Sequence, residues 1–207
     1  MRLSRLGYAV FAAAAVSAAP ARAQQWSTPL FSSPVLQPKF EIMTFDGLGA
    51  GAGVAAAVRP FASAPNLRLR AGIMDGAGTG PFDRPGMRLG RDRTIAYMAG
   101  IDFAEPLHTR GRVRTAFVTG LGVGVNESTL VSAPVGISIG YDGGRVRPYV
   151  TPRLVLEHHS GSPYPTNGLR AKGVVDLGVD IDLPIGGTLR AAFTYGSYAG
   201  AGIGFSF

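Results

Sequence analysis

The chain has 207 residues with 30 Gly, 15 Pro, no Cys, 16% charged residues and a formal net charge of +7. That length holds one domain and is marginal for two. The chain is too apolar to be disordered and too rich in turn residues to be helical, and without Cys it has no disulfide framework and no Cys-based zinc site.

The first 23 residues read as a secretory signal peptide. Arg2 and Arg5 form its positive start, residues 6–16 its apolar block, and Ala21-Arg22-Ala23 a cleavage signal that leaves Gln24 as the mature start. An apolar block of 11 residues is too short for a helix across ~30 Å of hydrocarbon, which takes about 20. Cleavage removes Arg2, Arg5 and Arg22 and no acid, so +7 falls to +4. The remaining basic residues lie within an alternating pattern and not in a cluster interleaved with aromatics, so nucleic acid is not an expected partner. No later segment offers 18 consecutive apolar residues. If the mature chain spans a membrane, it spans as a closed barrel, because backbone N–H and C=O groups in lipid need partners within the protein.

Residues 24–38 carry Pro29, Pro34 and Pro38 and read as a lead-in of low order. Period-2 alternation follows almost to the end of the chain. Residues 40–44 offer a first strand, and 48–58 alternate small apolar side chains with Gly49, Gly51 and Gly53. Further strands are expected at 67–73, 95–103 and 113–123. In 131–141, Val131, Ala133, Val135, Ile137, Ile139 and Tyr141 share one face, opposite Ser132, Pro134, Gly136, Ser138 and Gly140. Gly143-Gly144 is a hairpin signal. Beyond it, Arg145, Arg147, Tyr149, Thr151, Arg153 and Glu157 alternate with Val146, Val150, Leu154 and Leu156. In 169–183, Leu169, Ala171, Val175, Leu177, Val179, Ile181 and Leu183 oppose Arg170, Lys172, Asp176, Asp180 and Asp182. Strands at 189–195 and 199–207 close the series. The count is ten, or eight if 40–44 and the break at 196–198 are set aside.

In the last strand, Ala199, Ala201, Ile203, Phe205 and Phe207 oppose Gly200, Gly202, Gly204 and Ser206. Such an alternation, ending on an aromatic ring, resembles the closing strand of bacterial outer-membrane β-barrels. The resemblance implies an all-β fold, a transmembrane antiparallel up-and-down barrel of eight to ten strands, ten favoured, over residues 39–207. Residues 131–157, with Arg147-Pro148-Tyr149-Val150-Thr151-Pro152-Arg153, look like small, porin-like outer-membrane barrels of bacteria in style and hairpin layout. Location in the outer membrane is implied, with lipid and lipopolysaccharide as its surroundings and a monomer as its state.

Loop lengths orient the barrel. Counted back from a periplasmic Phe207, the connections at 76–92, 126–130 and 159–168 fall outside, and those at 60–66, 104–111, 143–144 and 184–187 fall in the periplasm. Phe103, Tyr141, Phe205 and Phe207 then lie near the inner interface and Tyr195 towards the outer one. A soluble barrel would turn its apolar face inward. Here the polar face is rich in Gly, which suits a confined interior better than a water-facing surface. The apolar face is free of charge, as lipid requires: Arg or Lys at the bilayer midplane costs about 2–4 kcal/mol.

The inward charges expected to line the lumen are Arg59, Arg68, Arg70, Asp102, Arg112, Arg114, Asp142, Arg145, Arg147, Arg153, Asp180, Asp182 and Arg190, gathered towards the periplasmic half. They fit either a cation-lined constriction that selects anions or a salt-bridge plug filling a narrow interior. A structural or interaction role accompanies the plug. Glu157-His158-His159-Ser160, followed by Asn167-Gly168-Leu169, resembles the His-x-Ser pair and following turn of lipid A deacylase barrels. The resemblance implies His158 as base and Ser160 as nucleophile of an ester hydrolase. Arg170 stands after Leu169 where that pattern has an orienting acid or amide, and Glu157 points to the other face. No metal site and no cofactor is expected: His158 and His159 point to opposite faces, the carboxylates of Asp75 and Asp83 lack the spacing of a calcium loop, and Gly120-x-Gly122-x-Gly124 lies inside a strand and opens no helix.

Overall fold

The computed structural model describes residues 32–35, 38–46, 52–76, 94–125, 129–160, 168–197 and 199–207. The signal peptide at 1–23, most of the lead-in, Gly49, Gly51, the bulk of the connection at 76–92 and the Asn167 turn lie outside them. Ten strands follow one another in the described chain: β1 (Phe40–Asp46), β2 (Ala52–Val58), β3 (Leu67–Gly76), β4 (Thr94–Arg110), β5 (Val113–Val125), β6 (Thr129–Tyr141), β7 (Val146–Ser160), β8 (Gly168–Asp182), β9 (Thr188–Gly196) and β10 (Gly200–Ser206). Each pairs antiparallel with its neighbours in sequence, and β1 pairs with β10 to close the barrel. β9 and β10 are separate strands, paired antiparallel from Gly200 and Thr194 to Ser206 and Thr188, so the count among the described residues is ten.

Alternation decides the faces. Ile42, Val54, Ile73, Ile101, Leu121, Ile137, Leu154, Leu177 and Ile203 point outward and are exposed, while their neighbours in sequence face a filled interior. Among the described side chains of the outward set, charges appear only towards strand ends, at Asp46, Glu105 and Arg110. Aromatic rings mark the end at which the chain finishes: Phe207 stacks on Phe40 at 5.8 Å and meets Phe205 edge-on at 4.8 Å.

Proline shapes the ladder. Pro134 and Pro152 lie inside β6 and β7. The β5–β6 and β6–β7 pairings lapse beside them, because proline donates no backbone hydrogen bond. Thr119 compensates at one lapse by donating its hydroxyl to the Pro134 carbonyl at 3.0 Å. The turn expected at 104–111 has to be corrected. β4 runs on to Arg110, with a register shift between Pro106 and His108, and the turn proper is only Gly111-Arg112, where Gly111 adopts φ 60°. A bulge absorbs Pro106 without ending the strand.

Inside the barrel, glycines make room for rings. Gly178 faces Tyr149 in register, and a Cβ on it would lie 2.0 Å from the phenol ring. Gly53 does the same for Phe45, at 2.5 Å. Gly178→Val should therefore prevent closure with Tyr149 in place, read as loss of the heat-modifiable folded band on a cold detergent gel. Adding Tyr149→Ala should restore that band.

Candidate functional site

The interior is where the structure gathers chemistry. Near the Phe207 end, the carboxylate of Glu41 on β1 accepts from Arg68 on β3 at 2.7 Å and from Arg190 on β9 at 2.9 Å. Arg190 also donates to Asp180 on β8 at 2.8 Å. Arg68 reaches on to Asp102 on β4 at 3.1 Å, where Arg70 meets the same carboxylate at 3.1 Å. One connected set of charges thus joins β1, β3, β4, β8 and β9 across the lumen.

Deeper along β7 and β8, Arg153 grips Asp176 through two nitrogens, at 2.6 and 3.0 Å, and Thr194 donates to the same carboxylate at 2.6 Å. Further towards the other end, Lys172 meets Glu157 at 2.8 Å. At the Phe207 end, Arg147 makes a two-pronged pair with Asp182, which Thr188 also bonds. These ion pairs bring six cations (Arg68, Arg70, Arg147, Arg153, Lys172 and Arg190) against six carboxylates (Glu41, Asp102, Glu157, Asp176, Asp180 and Asp182). The side chains of Arg153, Asp176, Asp180, Arg190 and Glu41 have no solvent exposure at all.

Not every expected lumen residue joins this set. Arg114 and Asp142 pair at 3.8 Å near the rim, each about one-third exposed. Arg112 and Arg145 sit in hairpin turns and are exposed, because the strands stop just short of them. Arg59 lies beyond the end of β2, half-buried. Conversely, Glu41, Glu157, Lys172 and Asp176 belong to the network although the sequence did not single them out. Asp176 and Lys172 stood on the polar face of their strand, which was the available signal. Glu41 stood in the weakest strand pattern of the chain. Nor are the charges confined to the Phe207 half: Glu157 and Lys172 extend them beyond the middle of β7 and β8.

The remaining interior is apolar. Met43, Phe45, Ala55, Ala57, Met74, Ala96, Met98 and Ala192 form one buried cluster inside β1–β4 and β9, and Val155 packs on Val174 across the lumen wall. The inward face is therefore mixed, not simply ionic and glycine-rich.

A further occupant comes from the lead-in, read from sequence as a segment of low order. Ser138 on β6 donates its hydroxyl to the Ser32 carbonyl at 2.5 Å, and Thr151 donates to Ser138 at 2.9 Å. Pro34 lies over Gly140, where a Cβ would approach the ring at 2.8 Å. Ser33 is only 3% exposed.

His158 and Ser160 lie on the outward face near the end of β7, away from this network. No hydrogen bond joins them among the described residues. Glu157 points inward to Lys172, and the residue across from His158 is Leu169. The described residues supply no acid or amide to orient the imidazole, as a Ser–His pair requires. No group of three or more metal-ligating side chains occurs among the described residues.

No protein-family model matches the chain, and no curated protein does. Among solved structures, OmpTdeltaL8, a loop L8 deletion mutant of OmpT, an outer membrane protein of Vibrio cholerae, aligns with a TM-score of 0.37 at 13% identity. The alignment covers 82% of this chain and 59% of that one, so the chain spans under two thirds of its length.

Buried ion pairs are costly to break one partner at a time. Arg190→Leu leaves Glu41 without one cation and Asp180 without its partner, and should destabilise the barrel by about 3–5 kcal/mol. Denaturant titration in detergent micelles measures this. Neutralising both acids in the same background, with Glu41→Gln and Asp180→Asn, should recover part of the loss.

Proposed function

We propose that this protein is a monomeric bacterial outer-membrane β-barrel with a structural or interaction role and a lumen filled by its own ion pairs. The reading of location rests on the uncharged, exposed apolar belt and on the aromatic rings at the Phe207 end. A ribbon of Ile, Leu and Val facing water around a closed ten-stranded barrel would be an aggregation surface, whereas hydrocarbon takes it up without cost. Outer-membrane lipid and lipopolysaccharide are then its immediate neighbours.

The observation that carries the reading of the lumen is the pairing of charge within it. Among the described residues, Arg68, Arg70, Arg147, Arg153, Lys172 and Arg190 each lie within ion-pair distance of a carboxylate. An anion-selective constriction needs an excess of positive charge facing water. Arg112 and Arg145, expected from the sequence to line the lumen, sit in turns instead. A barrel of this size leaves an interior only about wide enough for side chains to fill. A transported solute would have to displace groups that are already mutually neutralised.

Planar-bilayer recording tests this. The wild-type protein should give no discrete openings, and Arg153→Ala with Arg190→Ala should give leak currents, since removal of two long side chains vacates space in the Phe207 half of the lumen. Stepwise, anion-preferring openings of the wild type would overturn the reading.

A further inference from the structure

We infer that the interior of the barrel near the Phe207 end is a binding groove for a short, turned Ser/Pro peptide, and that the chain's own residues 32–35 are its ligand. The groove is built from inward residues of adjacent strands. Ser138 supplies a hydroxyl aimed at a peptide carbonyl, and Thr151, itself fully buried, fixes that hydroxyl by donating to it. Gly140 supplies the flat floor on which the Pro34 ring rests. Tyr149 stands across the strand pair from Gly140, and its Cβ would lie 3.4 Å from a Cβ on that glycine.

The peptide is suited to the place. Ser33 folds its hydroxyl back towards the Val35 N–H at 3.4 Å, a local turn that shortens the insert. Pro34 brings no backbone donor into the interior, so one fewer polar group has to be satisfied there. A small cavity of about 50 Å³ remains between the insert and the wall, lined by Ser32, Ser33, Arg68, Asp102 and Thr119 among others. The insert thus shares this cavity with the ion pair of Arg68 and Asp102.

The consequence is an intramolecular cork. With residues 32–35 seated, water reaches the charged network poorly from the Phe207 end; with them withdrawn, the groove opens onto Arg68 and Asp102. Occupancy of this groove and conductance of the barrel are separate properties, so the cork can fail or hold whatever planar-bilayer recording gives.

The absence of native Cys makes the test direct. Ser33→Cys in the full chain should react with a polar maleimide at least tenfold more slowly than Ser63→Cys, an exposed position in the β2–β3 connection at the same end of the barrel. Adding Gly140→Leu, which drives a side chain into the Pro34 position, should raise the rate of the Ser33→Cys protein to that of the control. Equal rates for Ser33→Cys and Ser63→Cys without Gly140→Leu would overturn the inference. A second measurement is independent of any folding defect in the Leu variant: Pro34→Cys with Gly140→Cys should cross-link under mild oxidation, whereas Ser63→Cys with Gly140→Cys should not. Failure of the first pair to cross-link in folded protein would likewise overturn it.

Discussion

A charged side chain inside a closed sheet has nowhere to go except to another charged side chain. Removing an ion from water costs several kcal/mol even after relaxation, and only a close, well-bonded counter-ion offsets it. Glu41 shows what this requirement does to the fold. It lies on the first strand, accepts from Arg68 on the third and from Arg190 on the ninth, and the bond to Arg190 spans 149 residues of sequence. The β1–β10 seam is the most non-local pairing in the barrel, and loop closure there carries the largest entropic cost. Glu41 places ionic bonds across the lumen directly inside that seam, so the pairing that is hardest to form is also tied by charge.

Volume is the companion constraint. Charged groups converge only if something small lies opposite something large. Gly178 beneath Tyr149, Gly53 beneath Phe45 and Gly140 beneath Pro34 are three instances of one solution. A glycine in a strand is locally unfavourable, since it adds backbone entropy and no packing. A ring laid across it restores the packing, and the strand then approaches its neighbour without strain. Many of the glycines on the inward face are thus not a sign of emptiness. They are the spaces that rings and arginines occupy.

The outward face was legible because it answers to a single requirement, an uncharged apolar side chain at every second position. That rule carried the strand count, the antiparallel layout and the orientation of nearly every residue from Ile42 to Ile203. The inward face answers to several requirements at once and reads poorly. Met43 and Phe45 made the first strand look apolar on both faces, which hid Glu41 between Phe40 and Ile42. Arg112 and Arg145 kept the alternating phase on paper, but a tight hairpin ends the phase where it begins, and both side chains project from turns. The turn expected at 104–111 is a bulge beside Pro106 followed by a tight turn at Gly111-Arg112. The role of residues 32–35 depends on Ser138 and Gly140, more than a hundred positions away in sequence, and no local pattern announces a contact of that separation. His158 and Ser160 share the outward face of β7, yet the third group that would give the pair a chemistry is a tertiary matter.

The cork and the ion pairs support one another. Coulombic attraction rises as the effective dielectric constant falls, from about 1 kcal/mol for a 4 Å pair in water to several times that in a partly dry surrounding. Arg68 and Asp102 line the small cavity beside Ser32 and Ser33, and water still reaches part of both side chains. Seating the peptide there removes solvent from that pair and strengthens it. The paired, neutral floor in turn receives the uncharged Ser and Pro side chains without leaving a charge against them.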